Sequence, residues 1–214
     1  MTFDVVVNPI TGERGVKRQG ASAENGHLLV SDLYAAPNSA VAGEHIHPHG
    51  SETFTVVRGL LGLKVDGVSD QAGPGDRITV PAGVKHDWWN AGQETALVIV
   101  ETDQPRFEEM IKTLFFLAED GKTDDRGRPG LLQAVAMARE FDDVVRFTKP
   151  PRAVQRILYG ALAPLARLRG YRGTHPEYAK RVSEVVDALE ELPPEIAAML
   201  PAGVPGSLKP PVAE

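Results

Sequence analysis

The 214 residues are enough for one large domain, or for one of about 100–150 residues with an appendage. There is no cysteine, which excludes disulfide frameworks, thiolate metal sites and cysteine nucleophiles. The net charge of −6 resides in residues 1–103, with 7 Lys/Arg against 13 Asp/Glu, whereas residues 104–214 carry 16 of each; this balance, with no nucleic-acid-binding motif, argues against a nucleic-acid partner.

The start, Met1-Thr-Phe-Asp-Val-Val-Val, lacks the basic residues and apolar run of a signal peptide. Ile157–Ala166, the longest strongly apolar run late in the chain, falls far short of the roughly 20 residues that span a bilayer. A cytoplasmic location is expected.

From Phe3 to about Thr102 the pattern is all-β. The predicted strands are Phe3–Val7, His27–Tyr34, Glu52–Val57, Leu60–Val65, Asp76–Val80, His86–Asn90 and Ala96–Glu101. They are short, rich in Val, Ile, Thr and aromatics, and divided by Gly, Pro and Asn/Asp turn signals such as Asp66-Gly67. Many short strands at close spacing predict an antiparallel sandwich or barrel. Asn8–Asn25, polar and glycine-rich, reads as a loop or mobile arm.

After Asp103-Gln104-Pro105 the period becomes helical. Phe107, Met110, Ile111, Leu114, Phe115 and Ala118 mark a first helix. Leu131–Phe141 reads as a second, with Val144–Phe147 continuing it, and Arg152–Arg169 as a third that Pro164 should kink or end. Pro176–Leu192 reads as a fourth. The expected division is a β-barrel with an N-terminal arm over 1–103, a helical extension over 104–200 packed on the barrel or on a dimer partner, and a disordered tail over 201–214.

Chemistry concentrates in Gly43–Gly59, where His45, His47 and Glu52 offer three metal-ligating groups within eight residues. On a strand, residues two apart share a face, so both imidazoles point the same way. Glu52 has the wrong parity for an unbroken strand, and the bend Pro48-His49-Gly50-Ser51 can reset it. A second piece, Gly75–Asn90, breaks at Pro81-Ala-Gly83 and resumes near His86, which puts His86, Trp88 and Asn90 inward and Trp89 outward.

These two pieces resemble the two motifs of the cupin superfamily. His45, His47, Glu52 and Gly59 meet the first; Gly75, Pro81, Gly83, His86 and Asn90 meet the second, and every spacing matches. The one departure is Ser39, where the family has glycine six residues before the first histidine. The resemblance spans roughly residues 30–102. It implies a double-stranded β-helix, or jelly-roll barrel, followed here by the α-helical C-terminal region. It also implies that His45, His47, Glu52 and His86 bind one divalent metal, with Glu52 doubling as a proton acceptor.

Three imidazoles and one carboxylate suit Fe, Mn, Ni, Zn, Co or Cu without choosing among them. Four protein ligands leave positions for a small-molecule substrate, unlike closed structural zinc sites. Phe54, Trp88 and Asn90 are candidate pocket residues. His49 reads as exposed or at the barrel mouth, and His27 and His175 as structural. Resemblance to cupin dioxygenases makes an oxygenase the leading expectation. An isomerase, cyclase or decarboxylase, or a non-catalytic binding module, is the alternative. A homodimer is expected from the family.

Arg146–Arg181 carries nine basic residues and one acid, Glu177. The favoured reading packs the apolar face of the third helix on the barrel or a partner, with its arginines solvated or paired to acids such as Asp142, Asp143, Glu190 and Glu191. An anionic membrane surface is the weaker reading.

Overall fold

The computed structural model describes residues 1–37, 39, 40 and 43–209. In chain order the strands of the first half are β1 (Phe3–Val7), β2 (Arg14–Gln19), β3 (Leu29–Ala35), β4 (His45–Ile46), β5 (Glu52–Arg58), β6 (Leu61–Val65), β7 (Val68–Ala72), β8 (Arg77–Val80), β9 (His86–Asn90) and β10 (Ala96–Thr102). The second half holds α1 (Phe107–Glu119), α2 (Leu131–Glu140), β11 (Arg146–Phe147), α3 (Arg152–Leu168), α4 (Pro176–Ala179), β12 (Glu184–Val186) and α5 (Pro194–Ala197). Among the described residues, no helix is long and apolar enough to cross a membrane.

Two antiparallel sheets form the jelly roll. The larger runs β12-β1-β2-β3-β10-β5-β8 and the smaller β11-β4-β9-β6-β7. The core between them is built from alternate residues of both: Phe54, Val56, Val98 and Val100 from the large sheet meet Leu61, Leu63 and Trp88 from the small one. Two glycines permit close approaches here. Gly59 turns β5 into β6 at φ +87°, with the Ala96 backbone against it. Gly62 lies under the Trp89 ring, which occupies the space a side chain would need.

Strand β10, Ala-Leu-Val-Ile-Val-Glu-Thr, is buried at every residue. Such a strand needs cover on both faces. Ala96, Val98 and Val100 face the inter-sheet core. Ile99, on the opposite face, packs with Val30, Leu192, Ile196, Leu200 and Val204, so the C-terminal segment seals the outside of the large sheet.

Four expectations are corrected. Residues 14–19 are not a mobile arm: β2 pairs with both β1 and β3. Its Arg18 makes a two-pronged ion pair with Asp32 at 2.5 and 2.8 Å, both side chains 1% exposed. The same guanidinium donates to the carbonyls of Pro205 and Glu190, tying the barrel to the C-terminal segment. Residues 176–192 are not one helix. After the four-residue α4 the chain becomes β12, because Val185-Val186 can pair with the open edge of β1, with Ser183 fastened to Val5 and Val7. Residues 146–147 do not continue α2 but pair with β4. Finally, the third helix forms as α3, but Pro164 does not end it: Ala163 and Ala166, on either side of the proline, are buried where the helix packs along α2.

Of the expected tail, residues 210–214 lie outside the described residues. Val204, at 2% exposure, is part of the sealing cluster.

Removing one partner of a buried ion pair leaves a lone charge in the interior, so Arg18→Ala should cost about 3–5 kcal/mol in urea unfolding. The Arg18→Met/Asp32→Leu double variant should recover most of that. Leu200→Ala, far from the barrel in sequence, should still cost about 2–5 kcal/mol, because it opens a cavity on the outer face of β10.

Candidate metal centre

His45 lies on β4, His47 just after it, Glu52 opens β5 and His86 opens β9. His45 and His86 are direct partners across β4 and β9, and Glu52 reaches in from the opposing sheet. The bend after His47 resets the parity as its composition predicts. It is held by the Gly83 amide donating to the His47 carbonyl at 2.7 Å and the Ser51 amide donating to Asp103 Oδ1 at 2.7 Å. All four side chains are buried, and their candidate ligand atoms lie within 4.8 Å of one another.

Each histidine is oriented by a main-chain carbonyl. His45 Nδ1 meets Gly43 O at 3.0 Å, His47 Nδ1 meets Val144 O at 2.7 Å, and His86 Nδ1 meets Val84 O at 3.1 Å. A carbonyl only accepts, so each Nδ1 carries hydrogen, and in the neutral ring each Nε2 presents a lone pair. Nε2 of His47 and of His86 stand 3.2 and 3.0 Å from Glu52 Oε2. Lone pairs facing a carboxylate in a buried site repel unless a proton or a cation lies between them. A divalent ion satisfies all four groups at once, and carbonyl-bound imidazoles are the usual orientation of metal-ligating histidines. The residues therefore fit a metal.

Protonation follows the same geometry. Burial alone would raise the Glu52 pKa, but hydrogen bonds with His47 and His86 outweigh it and hold the carboxyl well below the usual carboxylate range. Burial, reinforced by His86, lowers His45 to about 4. Burial also works to lower His47, yet its contact with Glu52 prevails and raises it above 6.5.

The second half of the chain reaches this centre directly, which sequence reasoning missed. Val144 supplies the carbonyl that holds His47. The Phe107 ring packs edge-on to His47 with centroids 5.7 Å apart, and the Phe147 ring lies 6.2 Å from His45, its partner across β11 and β4. The available signal was the run Val144-Val145-Arg146-Phe147-Thr148, whose β-branched and aromatic content suits a strand as well as a helix end.

The other singled-out residues fall in several places. Phe54 is fully buried in the inter-sheet core, and Trp88 belongs to the same cluster. Asn90 is buried, and its amide donates to the carbonyls of Ala35 and Glu94 while its oxygen accepts from the Gly92 amide, so its contacts fasten the turn after β9. Ser39 replaces the family glycine at a junction: its hydroxyl donates to Thr11 O and its carbonyl accepts from the Asn90 amide. His49 is exposed. His27 precedes β3 in a turn at φ +62°, and His175 stacks on Tyr178.

The fold and this cluster define a jelly-roll barrel with a site suited to metal in its interior. Residues 33–102 match the family described as Cupin domain (Cupin_2). Among solved structures, KdgF from a Halomonas species is 14% identical, over 44% of this chain and 80% of that one, with a TM-score of 0.38. A sugar phosphate isomerase from a cupin superfamily of Silicibacter pomeroyi is 20% identical, over 48% and 71%, with a TM-score of 0.40. A double-stranded beta-helix domain protein from Klebsiella pneumoniae is 26% identical, over 35% and 65%, with a TM-score of 0.32. Each of these alignments covers less than half of this chain. No curated protein is significantly similar to it.

Protein purified without chelator should carry close to one divalent metal per chain by elemental analysis, and His47→Ala or His86→Ala should lose most of it. Where metal is supplied at about 100 times its dissociation constant, chelation should lower stability by about 2.7 kcal/mol. Full occupancy in both variants would contradict the ligand assignment.

In metal-free protein the two shifted histidines act with opposite sign. His45 is lowered, so its contribution to stability is complete above 6.5 and is lost as pH falls toward about 4. His47 is raised, so its contribution is present below 6.5 and is lost as pH rises through its folded value. Proton NMR of the imidazole resonances should show His45 titrating near pH 4 and His47 above 6.5.

Proposed function

We propose that this chain is a metal-dependent enzyme acting on a small organic molecule, with dioxygenase-type oxygenation as its reaction. The observation that carries the enzymatic reading is the convergence of three carbonyl-oriented imidazoles and one carboxylate in a buried site. A divalent ion held by these four residues would keep one or two positions for a substrate or dioxygen. The choice of oxygenation rests on the resemblance of the ligand set to that of cupin dioxygenases.

A divalent ion held there supplies Lewis-acid polarisation of a substrate oxygen and, for a redox-active metal, electron transfer. The protein's own part is orientation and proton handling. The carbonyls of Gly43, Val84 and Val144 fix the three rings. Glu52, kept ionised by His47 and His86, is the one buried carboxylate in the cluster and the candidate proton acceptor. Phe107 and Phe147 present apolar rings beside His47 and His45, which favours an organic substrate over bulk water.

The test is an oxygen-electrode assay of iron-loaded protein against a panel of small diols, enols and keto acids. Oxygen uptake matched to substrate loss, and lost in Glu52→Ala, which removes a metal ligand and the proton acceptor together, is the expected result. Turnover without oxygen uptake would move the assignment to an isomerase, cyclase or decarboxylase. Ligand binding without turnover would make the barrel a binding module.

A further inference from the structure

Helix α3 has two apolar faces, and only one of them is covered. Gln155, Ala163 and Ala166 are buried against the rest of the fold. Away from them, Val154, Ile157, Leu165 and Leu168 are 48, 76, 37 and 85% exposed. Their spacing, with Ala161 and Pro164 between them, places them on one stripe of the helix. The helix is 17 residues, about 25 Å, long.

The charges around this stripe are of one sign. Between Arg146 and Glu177 the chain has no acid. Of the acids expected to neutralise it, Asp142 reaches two of its arginines, while Asp143 and Glu190 pair outside it. Asp142 pairs with Arg146 and Arg152 at 2.9 and 2.7 Å, Asp143 with Arg106 at 3.4 Å, and Glu190 with Arg58. Among the described residues, Arg156, Arg167 and Arg169 make no ion pair, nor do Arg139 and Arg172.

A cavity of about 380 Å³ opens near the C-terminal end of α3, between α2, α3 and the loop after α3. Arg139, Arg167 and Arg172 line it, with Tyr171. Its one acid, Glu140, is held by Arg106 at 2.8 Å. The cavity lies on the side of α3 that faces α2, since Ala163 lines it, and Arg167 on its wall flanks the stripe.

We propose that this face of α3 docks on an anionic phospholipid surface, with the apolar stripe in the interfacial region and headgroup phosphates at the unpaired arginines that flank it. Charge complementarity selects this occupant. A second copy docking by the same face would bring arginines against arginines with no acid on either helix. An exposed aliphatic stripe with arginines toward both ends suits a plane, since long side chains reach back to the phosphates. Guanidinium forks match phosphate geometry. The net charge of −6 lies in residues 1–103, away from this helix in the chain.

The test is co-sedimentation of the full, metal-loaded chain with vesicles of phosphatidylcholine alone and of phosphatidylcholine mixed with phosphatidylglycerol. Binding is expected only to the mixed vesicles, and it should weaken with added salt. Ile157→Asp with Leu168→Asp should abolish it without changing metal content or thermal unfolding, because both side chains are exposed. Arg167→Gln and Arg172→Gln should each weaken it about fivefold. No sedimentation with anionic vesicles at low salt, or equal binding to neutral ones, would overturn the proposal. So would binding that survives the double Asp variant. If that variant instead converts a dimer to a monomer by light scattering, with no vesicle binding by the parent, the face belongs to a second copy and the proposal fails.

Discussion

Three imidazole lone pairs and one carboxylate share a buried volume in this protein, and no described residue neutralises all of them together. Burial penalises charge, while the Glu52 carboxylate stabilises a proton on His47. The cluster is held open to a cation by main-chain carbonyls at Gly43, Val84 and Val144, each taking the hydrogen on Nδ1 and turning Nε2 inward. Those carbonyls come from three separate parts of the chain. The centre is therefore only as well defined as the packing that brings residue 144 against residue 47.

That dependence makes the second half of the chain part of the barrel's construction. Strand β11 extends the small sheet at β4, beside His45. Strand β12 extends the large sheet at β1. The segment from Leu192 to Val204 covers the outer face of β3 and β10. Arg18 binds that segment from within the large sheet through the carbonyls of Glu190 and Pro205. By contrast, α3 buries one face and leaves an aliphatic stripe in solvent beside unpaired arginines, so its sequence is not accounted for by packing within this chain.

Much of the barrel was legible because its signals are local. Alternation marked β5, β6 and β9; turn residues marked their ends; and the fixed distances among His45, His47, Glu52 and His86 marked the cluster. The misreadings share a cause. β2, β11 and β12 are strands because a partner edge is present, and their own residues do not demand it. Gly15, Lys17 and Gln19 look like loop, and Glu184-Val185-Val186 lies in a helical period. The run Ala96–Val100 did carry a non-local signal, since a strand apolar on both faces requires cover that its own hairpins do not provide.

The sequence alone determined which side chains could bind a metal and that they would point into one interior, because strand period and turn chemistry are set by neighbours in the chain. Only the tertiary structure decided how those side chains are aimed. The carbonyl of Val144 meets His47 across 97 positions of sequence, and Phe107 and Phe147 arrive from elements whose placement depends on which sheet edges are left open. Contacts of that span arise from the whole packed chain, and no local pattern encodes them.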